Sequence, residues 1–394
     1  GKITASLSGI MYNILSVLFF AFVLAIGTST ATGVVYADNL SETIDEQLKL
    51  LDFTEITNYI NSLNLNIDID FYAMIKNILS GKNNLDFNNV LTFICSIIQS
   101  NIKEIMPLFL SIIAICVLCS ITNGLKSSLL SDSVYKTILF VSFLCILLLI
   151  FNEIIVFYQK TKIVIKTLTN LTEIMSPIIS VLMIASGGVG AAKFFTPSVL
   201  FLTNGFMTII GGAVMPLIAL QGIFSCMSNF SENIKLNKIS DFFTSLIKWI
   251  LGLSTGIYGL FMTLQGVATS NFDAVTFKIA KYTISNSLPI IGGFLSSGFD
   301  IVVAGSALIK NAVGITGIVF ILYIILSPVL YMASFSLIIK LTSGIIEPLD
   351  NINTCNLLGA FTKTLSYLIV CILSVGLMFF ITIMFAVLSA NIYI

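Results

Sequence analysis

Long apolar runs dominate the chain from about residue 105 onward, with polar residues confined to short interruptions between them. The runs cover roughly 105–123, 137–158, 175–192, 196–228, 243–268, 284–307, 311–345 and 358–390. A transmembrane helix needs about 20 predominantly apolar residues, and these runs are continuous rather than alternating, which selects helices over a β-barrel. The runs 196–228 and 311–345 are too long for one straight crossing and too short for two with a turn, and Pro216 and Pro328 interrupt them. The pattern therefore predicts six to eight membrane segments, some of them bent, tilted or re-entrant.

Residues 38–104 have a different rhythm. Leu40, Ile44, Leu48 and Leu51 recur at helical intervals behind Asn39 and Glu42, which have capping-box spacing. Asp70 is placed to cap a helix with Phe71, Met74, Ile75, Ile78 and Leu79 on one face, ended by Gly81. Asp86 is placed to cap another, with Val90, Leu91, Ile94, Ile97 and Ile98 turned inward. The segment reads as a small set of amphipathic helices, either resting on the membrane or a partner, or forming a solvated cap. Ahead of it, Lys2, an apolar stretch from Ile10 to Ile26 and the small residues of Val35-Tyr36-Ala37 have the form of a secretory signal, cleaved before Asp38. An uncleaved first membrane helix is the competing reading. The expected organisation is thus a signal peptide (1–37), an extracytoplasmic helical module (38–104) and a multipass domain (105–394): an all-α polytopic membrane protein.

Composition agrees. The chain is 57% hydrophobic and 10% charged, with a mean hydropathy of +1.04, whereas about a quarter of a soluble domain is charged. Net charge is zero but unevenly spread: from Asp38 to Glu104 ten acids face four lysines. There is no basic tract for nucleic acid. The chain has no histidine and all 19 basic residues are lysine, which excludes histidine-based catalysis and histidine-ligated metals within this chain. The seven cysteines are odd in number and six lie in apolar runs, so they do not read as a disulfide framework. Cys116 and Cys119 have C-x-x-C spacing, but within a membrane-type run they read as small helix-packing residues. GGVGAAKF lacks the G-x-x-x-x-G-K-[ST] pattern and a preceding strand, which argues against nucleotide binding. No catalytic residue, cofactor or metal site is expected.

A signal for organisation is an offset of 112. Pro177 and Pro289 stand at this separation, as do Pro216 and Pro328, Gly205 and Gly317, Lys166 and Lys278, and Lys136 and Lys248. Ile178-Ile179 likewise match Ile290-Ile291. The pairs suggest parallel repeats near 166–271 and 278–391, with a fainter echo at Pro107. Proline removes a helix donor and glycine permits close backbone approach, so Pro177, Gly187, Gly188, Pro216, Pro289, Gly292, Gly293 and Pro328 are candidate breaks or hinges. Such broken helices either frame a conduit or pack tightly in a tilted bundle. Ionisable groups within apolar runs are costly and often functional. The candidates are Asp300, Lys310, Glu153 and Lys193, with Lys340 beside them. Asp300 and Lys310 are ten residues apart, about 15 Å along a helix, so each needs another partner. Orientation is left in tension: a cleaved signal places Glu104 outside and Lys126 and Lys136 inside, but then puts Lys160, Lys162 and Lys166 outside, against the positive-inside rule.

The block PIIGGFLSSGFDIVVAGSALIKNAVGITG, with upstream GGAVMPLIALQGI and FKIAKYTISNSLP, resembles the stage III sporulation protein AE family. The resemblance runs from the signal peptide to the C-terminus and brings no catalytic residue. It implies a multipass protein of the mother-cell-derived membrane around the forespore. Its implied partners are other membrane and ATPase subunits of a channel or secretion-like complex, and a forespore-side protein across the intermembrane space. Two other readings stand beside it: a stand-alone secondary transporter using Asp300 or Glu153, and a scaffold without a pathway.

Overall fold

A computed structural model describes residues 38–63, 70–81, 87–125, 131–228, 236–287, 292–349 and 352–389. The expected signal peptide, Asp86 and Pro289 lie outside these. Three short helices come first: α1 (Asp38–Leu50), α2 (Thr54–Ser62) and α3 (Phe71–Leu79). Long ones follow: α4 (Phe87–Leu125), α5 (Asp132–Ala185), α6 (Val189–Ile209) and α7 (Met215–Met227), then α8 (Asn237–Ser287), α9 (Gly292–Ile346) and α10 (Ile352–Leu388). A single π-helical turn, Ile210–Val214, joins α6 to α7 without a gap. There is no strand among the described residues.

Six helical stretches are long and apolar enough to cross a membrane: Ile94–Thr122, Ser133–Ala185, Val189–Met227, Asn237–Gly266, Gly298–Ile346 and Asn353–Leu388. Two pairs of expected segments are fused. The runs 137–158 and 175–192 are joined in α5 up to Ala185, and 284–307 and 311–345 are joined within α9 from Gly292. Pro177 lies inside α5 and Pro328 inside α9, and neither helix is interrupted there. A mid-helix proline costs about 3 kcal/mol. Here Met175, Ile179, Leu182 and Met183 flank Pro177, and Ile324, Ile325, Val329 and Met332 flank Pro328, all buried; packing of both half-helices offsets the lost hydrogen bond. Lys160, Lys162 and Lys166 therefore sit on a helix and not in a loop.

The 54 residues of α5, 51 of α8 and 55 of α9 make each roughly 80 Å long at about 1.5 Å per residue. The hydrocarbon core is about 30 Å thick. Even at the upper tilt of about 40° seen for membrane helices, only about 40 Å of helix fits within it. Each of the three must carry roughly half its length beyond the lipid.

The core is built on α9 and α10, which run antiparallel. An added Cβ at Gly314 would run into Val387, and one at Gly376 into Ile325; Phe335 meets Phe361 with ring centroids 5.6 Å apart. Helix α5 packs antiparallel to α9 as well: Phe157 lies against Phe335 at 4.9 Å, and an added Cβ at Gly317 would meet Met175. Helix α6 returns alongside α8, where Phe206 meets Tyr258 edge-on at 5.6 Å, and the Tyr258 hydroxyl hydrogen-bonds with that of Thr382 on α10.

The amphipathic helices lie along the flank of this bundle. Asp70 caps α3 by accepting the Tyr72 N–H at 3.2 Å, and Phe71, Met74, Ile75 and Leu79 are buried as the spacing predicts. Ile44 and Leu48 of α1 are also buried, but Asn39 already belongs to that helix and so does not cap it. Gln47 donates to the Val302 carbonyl at 3.1 Å and accepts from the Ser306 hydroxyl at 3.3 Å, while Phe71 meets Phe320 at 5.6 Å. These contacts span about 27 Å of α9. The polar-to-apolar change near residue 104 falls inside α4, which is continuous across it.

Candidate functional site

The helix α5 ends in a tight glycine turn. The Gly188 N–H reaches the Met183 carbonyl at 2.8 Å and the Gly187 N–H reaches that of Ile184 at 3.0 Å. Gly187 has φ +93°, the left-handed conformation that closes helices in this way. A Cβ on Gly187 would stand 2.8 Å from the Phe277 ring of α8. One helical turn before Phe277, buried Asp273 accepts the Gly190 N–H at 2.6 Å on one carboxylate oxygen and the Ala191 N–H at 3.0 Å on the other. The first N–H groups of a helix have no partner of their own and carry a partial positive charge. A carboxylate there satisfies both needs.

Phe277 also stacks on Phe299 at 5.6 Å, and Lys281, one turn further along α8, pairs with Asp300 at 2.7 Å. The two glycine-broken segments of the sequence thus meet through Phe277. Gly187 and Gly188 separate α5 from α6, Gly292 and Gly293 open α9, and Pro216 follows the π-helical turn at the start of α7. The positions 112 apart are not equivalent in environment: Gly205 faces open space, whereas Gly317 is packed against Met175 and Ile383.

Asp300 and Lys310 do not pair. Asp300 and its partner Lys281 are each 44% exposed. Lys310 is 1% exposed, and its Nζ donates to the Ser389 carbonyl just past the end of α10. Carbonyls at a helix C-terminus lack intrahelical donors, so this buried side chain closes the α9–α10 pair. Half-buried Glu153 belongs to a third group. Lys160, two turns beyond it on α5, lies 4.0 Å from the centre of the Tyr331 ring, and the Glu104 and Glu153 side chains are near Tyr331. This group ties α4, α5 and α9. Lys193 and Lys340 are exposed and Pro177 is on the outer face of α5.

Asp273, Tyr331 and Glu104 were not singled out by the sequence. An acid inside NFDAVTF is a visible signal, but its partners stand 82 and 83 residues away. In the amphipathic module, the Thr54 hydroxyl and N–H hold the Asp52 carboxyl below its ordinary value. Burial pushes the Tyr59 phenol up, and hydrogen bonds with Thr167 and Asn170 oppose part of that rise. Among the described residues no group of three or more Cys, Asp or Glu is placed to hold a metal, and all seven cysteines are free thiols. The arrangement provides helix-end locks and interhelical ties, which position membrane helices.

The sequence model of the family described as Stage III sporulation protein AE matches residues 69–390. The chain is 27% identical over 281 residues to the Stage III sporulation protein AE of Bacillus subtilis (strain 168), covering 71% of this chain and 70% of that one. No solved structure matches it.

Proposed function

The chain belongs to the stage III sporulation protein AE family, and from that premise we propose that it is a membrane subunit of a channel or secretion-like complex between mother cell and forespore. The observation that carries this reading is the length of α5, α8 and α9. Helices more than twice the bilayer's thickness expose a long, rigid stem on which other subunits can assemble, and the acidic amphipathic helices lie on the α5–α9 side of it. The membrane would be the mother-cell-derived one around the forespore. Energy would come from a separate ATPase subunit, and a forespore-side protein would meet the complex across the intermembrane space. Transport by the isolated chain needs a carboxylate that takes up and releases a coupling cation. Asp300 suits that role poorly, because Lys281 already holds it.

The test is purification of the tagged protein in mild detergent from sporulating cells. A fixed set of co-purifying membrane and ATPase proteins is expected. Recovery of the chain alone, or only with copies of itself, would overturn the proposal.

A further inference from the structure

Two faces of the bundle at the same height differ in their share of polar groups. The Glu173–Asn204 hydrogen bond, 3.2 Å long, sets residue 173 of α5 level with residue 204 of α6. Two residues on, Phe206 meets Tyr258 of α8, which brings α8 to that height within about 3 Å. On the outer side of α8 around Tyr258, Trp249, Leu253, Ile257, Leu260 and Leu264 are 50–68% exposed. Their spacing puts them in one stripe about 22 Å long, which suits lipid hydrocarbon.

The α5–α6 flank carries a polar cluster at this height, with Phe201 of α6 exposed one turn from Asn204. Lys162 and Lys166 are exposed and Asn170 and Glu173 half-exposed, within an arc of one helix face whose apolar exception is Ile163 at its border. Asn204 and Thr208 of α6 are exposed beside them. Lysines near the Trp249 end of the stripe can extend toward an interface. Glu173 and Asn204 stand at mid-height, and the short side chains of Asn204 and Thr208 cannot reach either end. Polar groups at this depth are costly against lipid and are found facing water-filled cavities or other protein. A second feature points the same way. Tyr59 of α2 donates to the Thr167 carbonyl at 3.0 Å, so α2 borders this flank, and α2 turns Thr54, Glu55 and Asn58 outward.

We propose that the α5–α6 face bearing Lys162, Lys166, Asn170, Glu173, Asn204 and Thr208 lines a water-filled passage at the depth of the bilayer, while α8 faces lipid. This deepens the channel-subunit reading and rests on it.

The test is thiol accessibility in open membrane fragments from sporulating cells. Cysteine is placed singly at Lys166, Asn170, Asn204 or Thr208, and for comparison at Leu253, Ile257 or Leu260, in full-length protein whose exposed Cys95 and Cys145 are replaced by serine. A charged, membrane-impermeant maleimide reacts with thiolate, which forms only in contact with water, so the α5–α6 positions are expected to label about tenfold faster or more than the α8 positions. Equally fast labelling on both faces would place this height outside the bilayer and overturn the proposal. Failure to label at all of the α5–α6 variants that accumulate would overturn it too, by showing that lipid or protein covers the face. Partner recovery tests the channel reading separately, so the two can fail independently.

Discussion

Asp273 and Gly190 are 83 residues apart in the chain, and the Asp273 carboxylate accepts the Gly190 N–H at 2.6 Å. With Ala191 on its second oxygen at 3.0 Å, one side chain ties the start of α6 to α8. Asp273→Ala leaves two helix-end donors without a partner. The expected loss is about 3 kcal/mol, and about 1–2 kcal/mol for Asp273→Asn, which keeps one acceptor. Thermal unfolding of the detergent-solubilised variants measures both. Equal stability of Asp273→Ala and the parent would show that the carboxylate does not hold α6.

Gly187 is constrained twice, by a φ of +93° and by the Phe277 ring at 2.8 Å from any Cβ. Gly187→Ala is expected to cost about 1–3 kcal/mol. Adding Phe277→Leu relieves the contact but not the backbone strain, so the double variant should recover only part of the loss. Full recovery would assign the whole effect to packing.

Glycines differ by what they face. Gly376 lies against Ile325, whereas Gly252 on α8 meets open space. Gly376→Val should cost about 1–3 kcal/mol by overpacking the α9–α10 seam, and Gly252→Ala should be neutral or slightly stabilising through helix propensity. Melting temperatures of the two variants in one detergent check the contrast, and similar melting would contradict the packing described.

Tyr59 tethers α2 to α5 through the Thr167 carbonyl. Because burial raises its folded-state pKa, the contribution of the neutral phenol is complete below about pH 10, the ordinary tyrosine value. It is lost as pH rises through the higher folded value. Hydrogen exchange across residues 54–62, corrected for its intrinsic pH dependence, should accelerate in that window. Tyr59→Phe should accelerate it already at neutral pH, by about 1 kcal/mol of local stability, and abolish the alkaline step. A step that persists in Tyr59→Phe would locate the titration elsewhere.

The Lys281–Asp300 pair is 44% exposed on both sides, and such pairs contribute at most about 1 kcal/mol. Asp300→Asn is therefore expected to accumulate normally and to support sporulation. A strong sporulation defect at normal protein level would restore the transporter reading, in which this carboxylate carries a coupling ion.

Much of the molecule follows from local pattern. The apolar runs dictate helices, since a backbone in lipid must satisfy its own hydrogen bonds. Asp70, Gly81 and the buried face of α3 were legible because a cap, a stop and a 3.6-residue period act within a dozen residues. Gly187 was visible as a break for the same reason. The fusion of the runs into α5 and α9 was not, because a proline marks where a helix loses a hydrogen bond and says nothing of what packs on either side. At Pro177 and Pro328 the neighbouring helices decide, and the helix continues.

Sequence by itself determined an all-helical membrane bundle with an amphipathic N-terminal module, because hydrophobic period and length are properties of a single segment. Only the tertiary structure decided that Asp273 caps α6, that Lys310 closes α10, and that the Gly187 turn meets Phe299 and its neighbour Asp300 through Phe277. It also decided that Glu173 of α5 and Asn204 of α6 come together on one flank of the bundle. Each of these is a contact between residues distant in the chain, and its energy depends on burial and geometry that come into being only when the helices pack.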